Sequence, residues 1–200
     1  MSEPIKSALE RALERAEKLG KASPEELAEW TYQPEGEKIA ARFLKMEQVD
    51  IKAELNKLPA AAQSTVAKAI ENIFLANIDV PRTPQIKGAA LRAIEGVRAL
   101  KSDKKRLDPI LTGLQGTIQH YETVGRQQLQ QAYQQLHKQF ESKAQAMQGR
   151  QGQRRGPEGQ APDVEALPEF AAAWHQIQTD FDTQYDKVIK DQKESIRRVH

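Results

Sequence analysis

The sequence predicts an all-α protein in which a small N-terminal helical bundle is followed by a long antiparallel helical hairpin of coiled-coil character. Residues with high helix propensity, chiefly Ala, Leu, Glu, Lys, Gln and Arg, dominate the 200 residues, and no strand pattern competes with them. Apolar residues recur at helical spacing along most of the chain. The composition, 38% hydrophobic but only 6% aromatic, favours an aliphatic core between amphipathic helices.

The start of the chain predicts several helices. A narrow apolar stripe over residues 5–19 predicts a first helix, and a capping box beginning at Ser23 predicts a second. We expect this second helix to be short and to stop before Pro34, because proline removes a backbone hydrogen bond. A third helix is then expected to start at Glu35.

Further helices complete the predicted bundle. Asp50 is a candidate N-cap of a fourth helix that Pro59 interrupts or ends, and residues 66–75 present a broad apolar face suited to the centre of a bundle. Thr83 and Pro84 suit the N-cap and first position of another helix that reaches Leu100. We therefore assign residues 1–102 to an N-terminal helical bundle.

The strongest periodic signal begins after residue 103. Its apolar positions are separated by eleven intervals averaging 3.6 residues, and they are Leu107, Leu111, Leu114, Ile118, Tyr121, Gly125, Leu129, Ala132, Leu136, Phe140, Ala144 and Met147. They predict one continuous helix to about Gln148, roughly 65 Å long, with Pro109 tolerated in its first turns. Residues 149–163 are rich in glycine and lack large apolar residues, so we expect a disordered linker.

The last part of the chain predicts a partner for the long helix. Its apolar stripe has a period of 3.5 residues and consists of Leu167, Phe170, Trp174, Ile177, Phe181, Tyr185 and Val188. Two helices with matching stripes and a flexible connection can bury those stripes by folding back on each other. Residues 103–200 are therefore expected to form the hairpin domain.

Charge is unevenly distributed, although the net charge is only +2. Residues 81–157 carry 14 basic and 5 acidic side chains, while both flanking segments are acidic. Folding back brings basic residues from two segments to the base of the hairpin, where they are candidates for contact with an anion or a nucleic acid. These residues are Arg98, Lys101, Lys104, Lys105, Arg106, Arg197 and Arg198. The alternative, that they neutralise helix ends and acidic neighbours, stays open.

No catalytic residue, cofactor site or metal site is predicted. Cysteine is absent, and Glu-x-x-His, Walker and nucleophile-elbow motifs are missing. His137 with Glu141, and Asp182 with Asp186, are spaced for two metal ligands each, but solvated side chains are the favoured interpretation. The absence of a signal peptide and of a long apolar run predicts a cytoplasmic protein with no membrane partner.

Two features of the long helix bear on association. Gly113 with Thr117 suggests close approach of a neighbouring helix, with a ligand or a hinge as alternatives. Glutamines at positions 127, 128, 130, 131, 134, 135 and 139 give the helix an almost uncharged polar surface, which is compatible with self-association.

Several short motifs resemble an uncharacterised bacterial family of short all-helical proteins. They lie mostly in the first hundred residues and are Lys6-Ser7-Ala8-Leu9-Glu10, Arg15-Ala16-Glu17-Lys18-Leu19-Gly20, Tyr32-Gln33-Pro34-Glu35-Gly36-Glu37 before Ile39-Ala40, and Asn77-Ile78 before Pro81-Arg82. The resemblance implies a bacterial, cytoplasmic, all-helical protein, and it transfers no active site.

The function expected from these observations is a non-enzymatic helical interaction or scaffold protein that forms a homo-oligomer. The alternative is a nucleic-acid- or ribosome-associated protein that uses the basic residues at the base of the hairpin. An enzyme or small-molecule carrier with a pocket in the N-terminal bundle is a third class.

Overall fold

The computed structural model of the protein describes residues 24–150 and 163–200, and every regular element in these two stretches is helical. The predicted all-α class is therefore confirmed. The helix expected over residues 5–19 and the capping box at Ser23 lie outside the described residues. The chain separates into two compact units that divide between Ile73 and Phe74.

The described part of the first unit contains α1 (Pro24–Leu44), α2 (Ile51–Asn56) and most of α3 (Ala60–Ala76). The Asp50 carboxylate accepts hydrogen bonds from the amides of Lys52 at 3.0 Å and Ala53 at 3.1 Å, so its predicted N-cap role is confirmed. Pro59 stands in the turn before α3, as expected.

The predicted helix end before Pro34 is wrong, because α1 continues through this proline. A proline inside a helix costs about 3 kcal/mol or more. The helix packs closely on α3 just after this proline: a Cβ on Gly36 would lie 2.8 Å from the carbonyl oxygen of Val66 and 2.7 Å from the Cβ of Ala69. Ile39 and Ala40, one turn further, are buried. The separate third helix expected here is thus the second half of α1.

The second unit begins with the end of α3 and contains the remaining helices. The Thr83 hydroxyl accepts a hydrogen bond from the amide of Ile86 and caps the next helix, with proline at its first position, as predicted. The long helices that follow are α4 (Pro84–Leu100), α5 (Lys104–His120), α6 (Arg126–Arg150) and α7 (Pro168–Arg197).

A π-helical turn over Tyr121–Gly125 joins α5 directly to α6, so a single helical run extends from Lys104 to Arg150. This run matches the predicted long helix, but the π turn was not predicted. The wider turn rotates the apolar stripe between the two helices, which keeps both Tyr121 and Gly125 buried.

Helix α7 packs along α5 and α6 in the opposite chain direction. The amide of Asp103 donates to the carbonyl of His200 at 3.0 Å, and the Tyr133 and Phe170 rings lie 5.6 Å apart. The start of α5 is therefore next to the end of α7, and the middle of α6 is next to the start of α7. A 3₁₀ turn over Val164–Ala166, capped by Asp163, precedes α7.

The predicted stripe of α7 is wrong at its end. Val188 is 45% exposed, whereas the next residue, Ile189, is 2% exposed. The 3.5-residue period was extended too far, because after Tyr185 burial follows steps nearer to 3.6 residues, through Ile189 and Ile196.

Two predicted boundaries lie near described residues. Helix α4 lies in the compact unit that starts at Phe74, where it packs against α5 and its Lys87 is paired with Glu122; the predicted domain division at residue 102 stays a prediction. Of the linker expected over residues 149–163, the first two residues belong to α6 and Asp163 caps the 3₁₀ turn. The rest of it lies outside the described residues.

Candidate functional site

The end of α4, the start of α5 and the end of α7 meet in one place, which we call the basic corner and define as residues 98–106 and 194–200. The ammonium of Lys101 donates to the carbonyl of Val199 at 2.6 Å, beside the backbone bond between Asp103 and His200. These contacts join two segments that lie almost one hundred residues apart. The basic corner contains seven Lys and Arg residues and two acidic residues.

Two lysines of the basic corner have a structural role. Lys101 is only 9% exposed, and Lys104 donates to the carbonyl of Lys101 at 2.7 Å and to that of Arg98. Carbonyls at the end of a helix lack partners within the helix and carry a partial negative charge. Lys101 and Lys104 therefore neutralise the ends of α7 and α4.

The other five cations of the basic corner remain at the surface. Arg98 lies 3.2 Å from the Asp108 carboxylate and Arg197 lies 3.6 Å from that of Glu194, both in exposed pairs that contribute only about 0 to 1 kcal/mol. Three more are exposed without an ion-pair partner within 4 Å among residues 24–150 and 163–200, namely Lys105, Arg106 and Arg198. The basic corner thus retains uncompensated positive charge.

A small cavity of about 180 Å³ adjoins the basic corner between α4 and α5. Its walls include Arg98, Asp108 and Thr112. Pockets that enclose small molecules usually measure about 300 to 1,000 Å³, so this cavity does not resemble a cofactor or substrate pocket.

A second polar group, which we call the Arg82 clamp, joins the turn before α4 to α7 at the level of the π turn. The guanidinium of Arg82 lies 2.6 Å from Asp182 and 3.4 Å from Asp186, and the Tyr121 hydroxyl donates to Asp182 at 3.0 Å. The hydrogen bond with Asp182 raises the pKa of Arg82. Burial, and next the bond to Asp182, raise the pKa of Tyr121 to about 12. The Arg82 clamp therefore holds a neutral phenol beside a fixed ion pair.

The Arg82 clamp contains Asp182 and Asp186, whose spacing is also that of two metal ligands. Both carboxylates face the same guanidinium, which supplies the positive charge that a metal ion would otherwise provide. Within the described ranges, no group of three or more His, Asp or Glu side chains is placed to hold a metal. Sequence reasoning missed Arg82, because no spacing rule relates residues one hundred positions apart.

The other pair with the spacing of metal ligands is His137 with Glu141, and a third side chain lies beside it. One ring nitrogen of His137 lies 3.5 Å from Glu141 and the other lies 3.9 Å from Glu165, so the imidazole stands between two carboxylates.

At Gly113, a Cβ would lie 3.1 Å from the side-chain amide nitrogen of Gln192 on α7. The neighbour of Gly113 is therefore a side chain of α7, and close helix packing at this exposed glycine stays a prediction.

The far part of α6 and the first half of α7 form what we call the aromatic arm, residues 126–150 and 163–182. The Phe170 ring lies edge-to-face against Tyr133 at 5.6 Å and Phe140 at 5.5 Å, and Trp174 packs on Tyr133 at 5.1 Å. Edge-to-face pairs add about 0.5 to 1.5 kcal/mol beyond the burial of their area. These rings hold the two helices of the aromatic arm together.

Burial falls steeply along the long helix. In α5 the stripe residues Leu107, Leu111 and Leu114 are at most 3% exposed, because both α4 and α7 pack against α5. In the aromatic arm, only three members of a nine-residue apolar cluster are buried, namely Leu136, Val164 and Phe170. The six that stay partly exposed are Tyr133, Phe140, Leu167, Ala173, Trp174 and Ile177. Two helices therefore leave this cluster incompletely covered.

Comparison with known proteins gives a family but no activity. A model of a family of unknown function matches residues 52–198. The predicted membership of an uncharacterised family is thereby confirmed, and the match includes the aromatic arm as well as part of the first hundred residues, where the resemblance was concentrated. No curated protein and no solved structure matches the chain. Among the helices described, none has the length and apolarity needed to span a membrane.

Proposed function

The chain belongs to DUF6657, a family of unknown function, and we propose that it is a non-enzymatic helical interaction protein that self-associates through its aromatic arm. In this proposal a helical bundle precedes an antiparallel coiled-coil hairpin, and the end of the hairpin is the interaction element. The proposed location is the bacterial cytoplasm.

The observation that carries this proposal is the contrast in burial between the two parts of the hairpin. Apolar positions of α5 are covered by helices on two sides, whereas six members of the cluster in the aromatic arm remain partly exposed. Burying apolar surface contributes about 25 cal/mol per Å². Helices with incompletely covered apolar stripes gain this energy by packing against further helices, as in coiled coils and four-helix bundles.

A second copy of the same chain is the occupant that fits this surface. The flank of α6 beside the cluster carries three exposed residues that are polar but uncharged, namely Gln128, Gln135 and Gln139. Two identical charged surfaces would repel each other, but amides both donate and accept hydrogen bonds and can pair with their own kind. A two-fold pairing, the commonest symmetry of oligomers, places the same surface on both sides of the interface.

The test is the mass of the full chain in solution, measured by light scattering after size-exclusion chromatography over a range of micromolar concentrations. We compare the wild type with the double substitution Gln128→Glu and Gln135→Glu. These residues lie seven positions apart on one side of α6, and both are exposed, so the fold is retained while like charges face each other in the dimer.

A matched control carries the same charge change elsewhere, as Gln48→Glu and Gln85→Glu, which are also exposed. The proposal expects a dimer for the wild type and the control and a monomer for the arm variant, with equal helicity by circular dichroism. A monomeric wild type at every concentration would contradict self-association. A dimer that persists in the arm variant would contradict this interface.

A further inference from the structure

We infer that the basic corner binds the phosphate backbone of double-stranded nucleic acid without sequence preference. This inference is independent of self-association, because it rests on different residues at the opposite end of the hairpin. The inference starts from a difference among the seven cations of the basic corner: some contact carbonyls or carboxylates within the described residues, and others do not.

Four of the seven cations have partners that account for their position. Lys101 and Lys104 bind backbone carbonyls at helix ends, Arg98 lies beside the carboxylate of Asp108, and Arg197 lies beside that of Glu194. Had all seven been engaged in this way, the positive charge of the segment would be explained by folding alone. Among residues 24–150 and 163–200, Lys105, Arg106 and Arg198 are the exception, because no acidic side chain there lies within 4 Å of them.

These three cations are brought close together by the backbone. Lys105 and Arg106 stand two and three residues after Asp103, and Arg198 stands two residues before His200, whose carbonyl accepts the Asp103 amide at 3.0 Å. Each residue spans at most about 3.6 Å, and two hydrogen-bonded backbones add about 5 Å, so the Cα atoms of these three residues fit within roughly 25 Å. Long flexible side chains on such a patch can reach several phosphates of one duplex.

The chemistry of the basic corner favours a phosphate backbone over other anionic partners. Residues 98–106 and 194–200 contain no Phe, Tyr or Trp, so stacking on unpaired bases is not available. Large apolar side chains that are exposed in the described ranges lie elsewhere, at Trp30, Met46, Val124 and Val188, so the basic corner has no apolar group to insert into a lipid surface. Electrostatic contact with the backbone of a duplex needs neither an aromatic side chain for stacking nor an apolar side chain for insertion.

The experiment measures binding of the full-length protein to a fluorescent DNA duplex by anisotropy, as a function of salt. Each neutralised phosphate contributes about −0.9 to the slope of log K against log salt, so three cations give a slope of about −2.7. Affinity should then fall roughly 40-fold between about 50 and 200 mM salt. A second duplex of unrelated sequence and an RNA duplex should bind with similar slopes.

Two triple substitutions isolate the basic corner from total charge. The corner variant replaces its three free cations with glutamine, as Lys105→Gln, Arg106→Gln and Arg198→Gln. The control variant loses the same charge at three exposed lysines elsewhere, as Lys45→Gln, Lys52→Gln and Lys138→Gln. All six side chains are exposed, so both variants should melt at the temperature of the wild type.

The inference predicts that the corner variant loses duplex binding at about 50 mM salt and that the control variant keeps the wild-type slope. Absence of duplex binding by the wild type at this salt concentration would overturn it. Equal weakening in both variants would also overturn it, since charge alone would then explain the binding. Vesicles containing phosphatidylserine are the third arm, and binding to them without binding to duplex would replace a nucleic acid with a membrane surface.

Discussion

Replacing two glycines of α4 by alanine should change the stability of the protein in opposite directions, because only one of them is closely packed. A Cβ added to Gly96 would lie 2.5 Å from Cζ of Phe74 and 2.6 Å from its Cε2, closer than real contacts allow. The Phe74 ring is 0% exposed, so its displacement has to be accommodated inside the core. A Cβ added to Gly88, in the same helix, would meet nothing within 4 Å.

The magnitudes follow from two terms. Exchanging glycine for alanine inside a helix gains about 1 kcal/mol at either position. At Gly96 the forced displacement of the Phe74 ring by about 1 Å is overpacking, which typically costs about 1 to 3 kcal/mol and is occasionally more costly in a dense core. We expect Gly88→Ala to stabilise the protein by up to about 1 kcal/mol and Gly96→Ala, after the same gain is subtracted from the overpacking cost, to destabilise it by about 0 to 2 kcal/mol.

Urea unfolding followed by circular dichroism measures both changes, and the slope of the transition checks that the unfolded state is unchanged. The Gly88→Ala protein serves as the matched control, because it carries the same exchange in the same helix. An increase in stability for Gly96→Ala equal to that for Gly88→Ala would refute the close contact between α4 and the Phe74 ring.

Two further predictions concern the polar contacts. Lys101→Met removes the ammonium bound to the carbonyl of Val199. We therefore expect the free energy of unfolding to fall by about 1 to 3 kcal/mol and hydrogen exchange in the last turn of α7 to become faster. Unchanged exchange in that turn would count against this contact. Tyr121 has a pKa of about 12 in the folded protein, whereas the ordinary value is 10.0. Its contribution to the stability of the folded protein is therefore complete below pH 10 and is lost as the pH rises through 12. The Tyr121→Phe protein should therefore lose less stability than the wild type over this alkaline interval in pH-dependent thermal melting, and parallel losses would refute the role of Tyr121.

Much of the helical architecture follows from local sequence rules. The caps at Asp50 and Thr83 were predictable because a side-chain oxygen acts within three residues of its own position. The stripe through Leu107 to Ile118 was predictable because the helix period alone selects one face. Each of these signals is contained within a few turns of chain.

What the sequence did not reveal depends on packing between distant segments. Nothing local to Pro34 indicates that α3 will hold α1 together at Gly36. The π turn at Tyr121 depends on how α5 and α6 both face α7. The same limit applies to the candidate sites. Seven basic residues were identifiable by composition, but the buried position of Lys101 requires the end of α7, and the partners of Arg82 lie one hundred residues away.

The central proposal, that two copies meet through the aromatic arm, is tested most directly by a single pyrene label. Because the chain has no cysteine, Gln135→Cys supplies one exposed attachment point near the middle of α6, and Gln48→Cys supplies a control in the first unit. In a two-fold pair of arms whose axis passes near the middle of α6, two labels at position 135 lie close to each other, so we predict excimer emission that grows with concentration for Gln135→Cys and not for Gln48→Cys. Monomer emission alone from the Gln135→Cys protein at every concentration would contradict it.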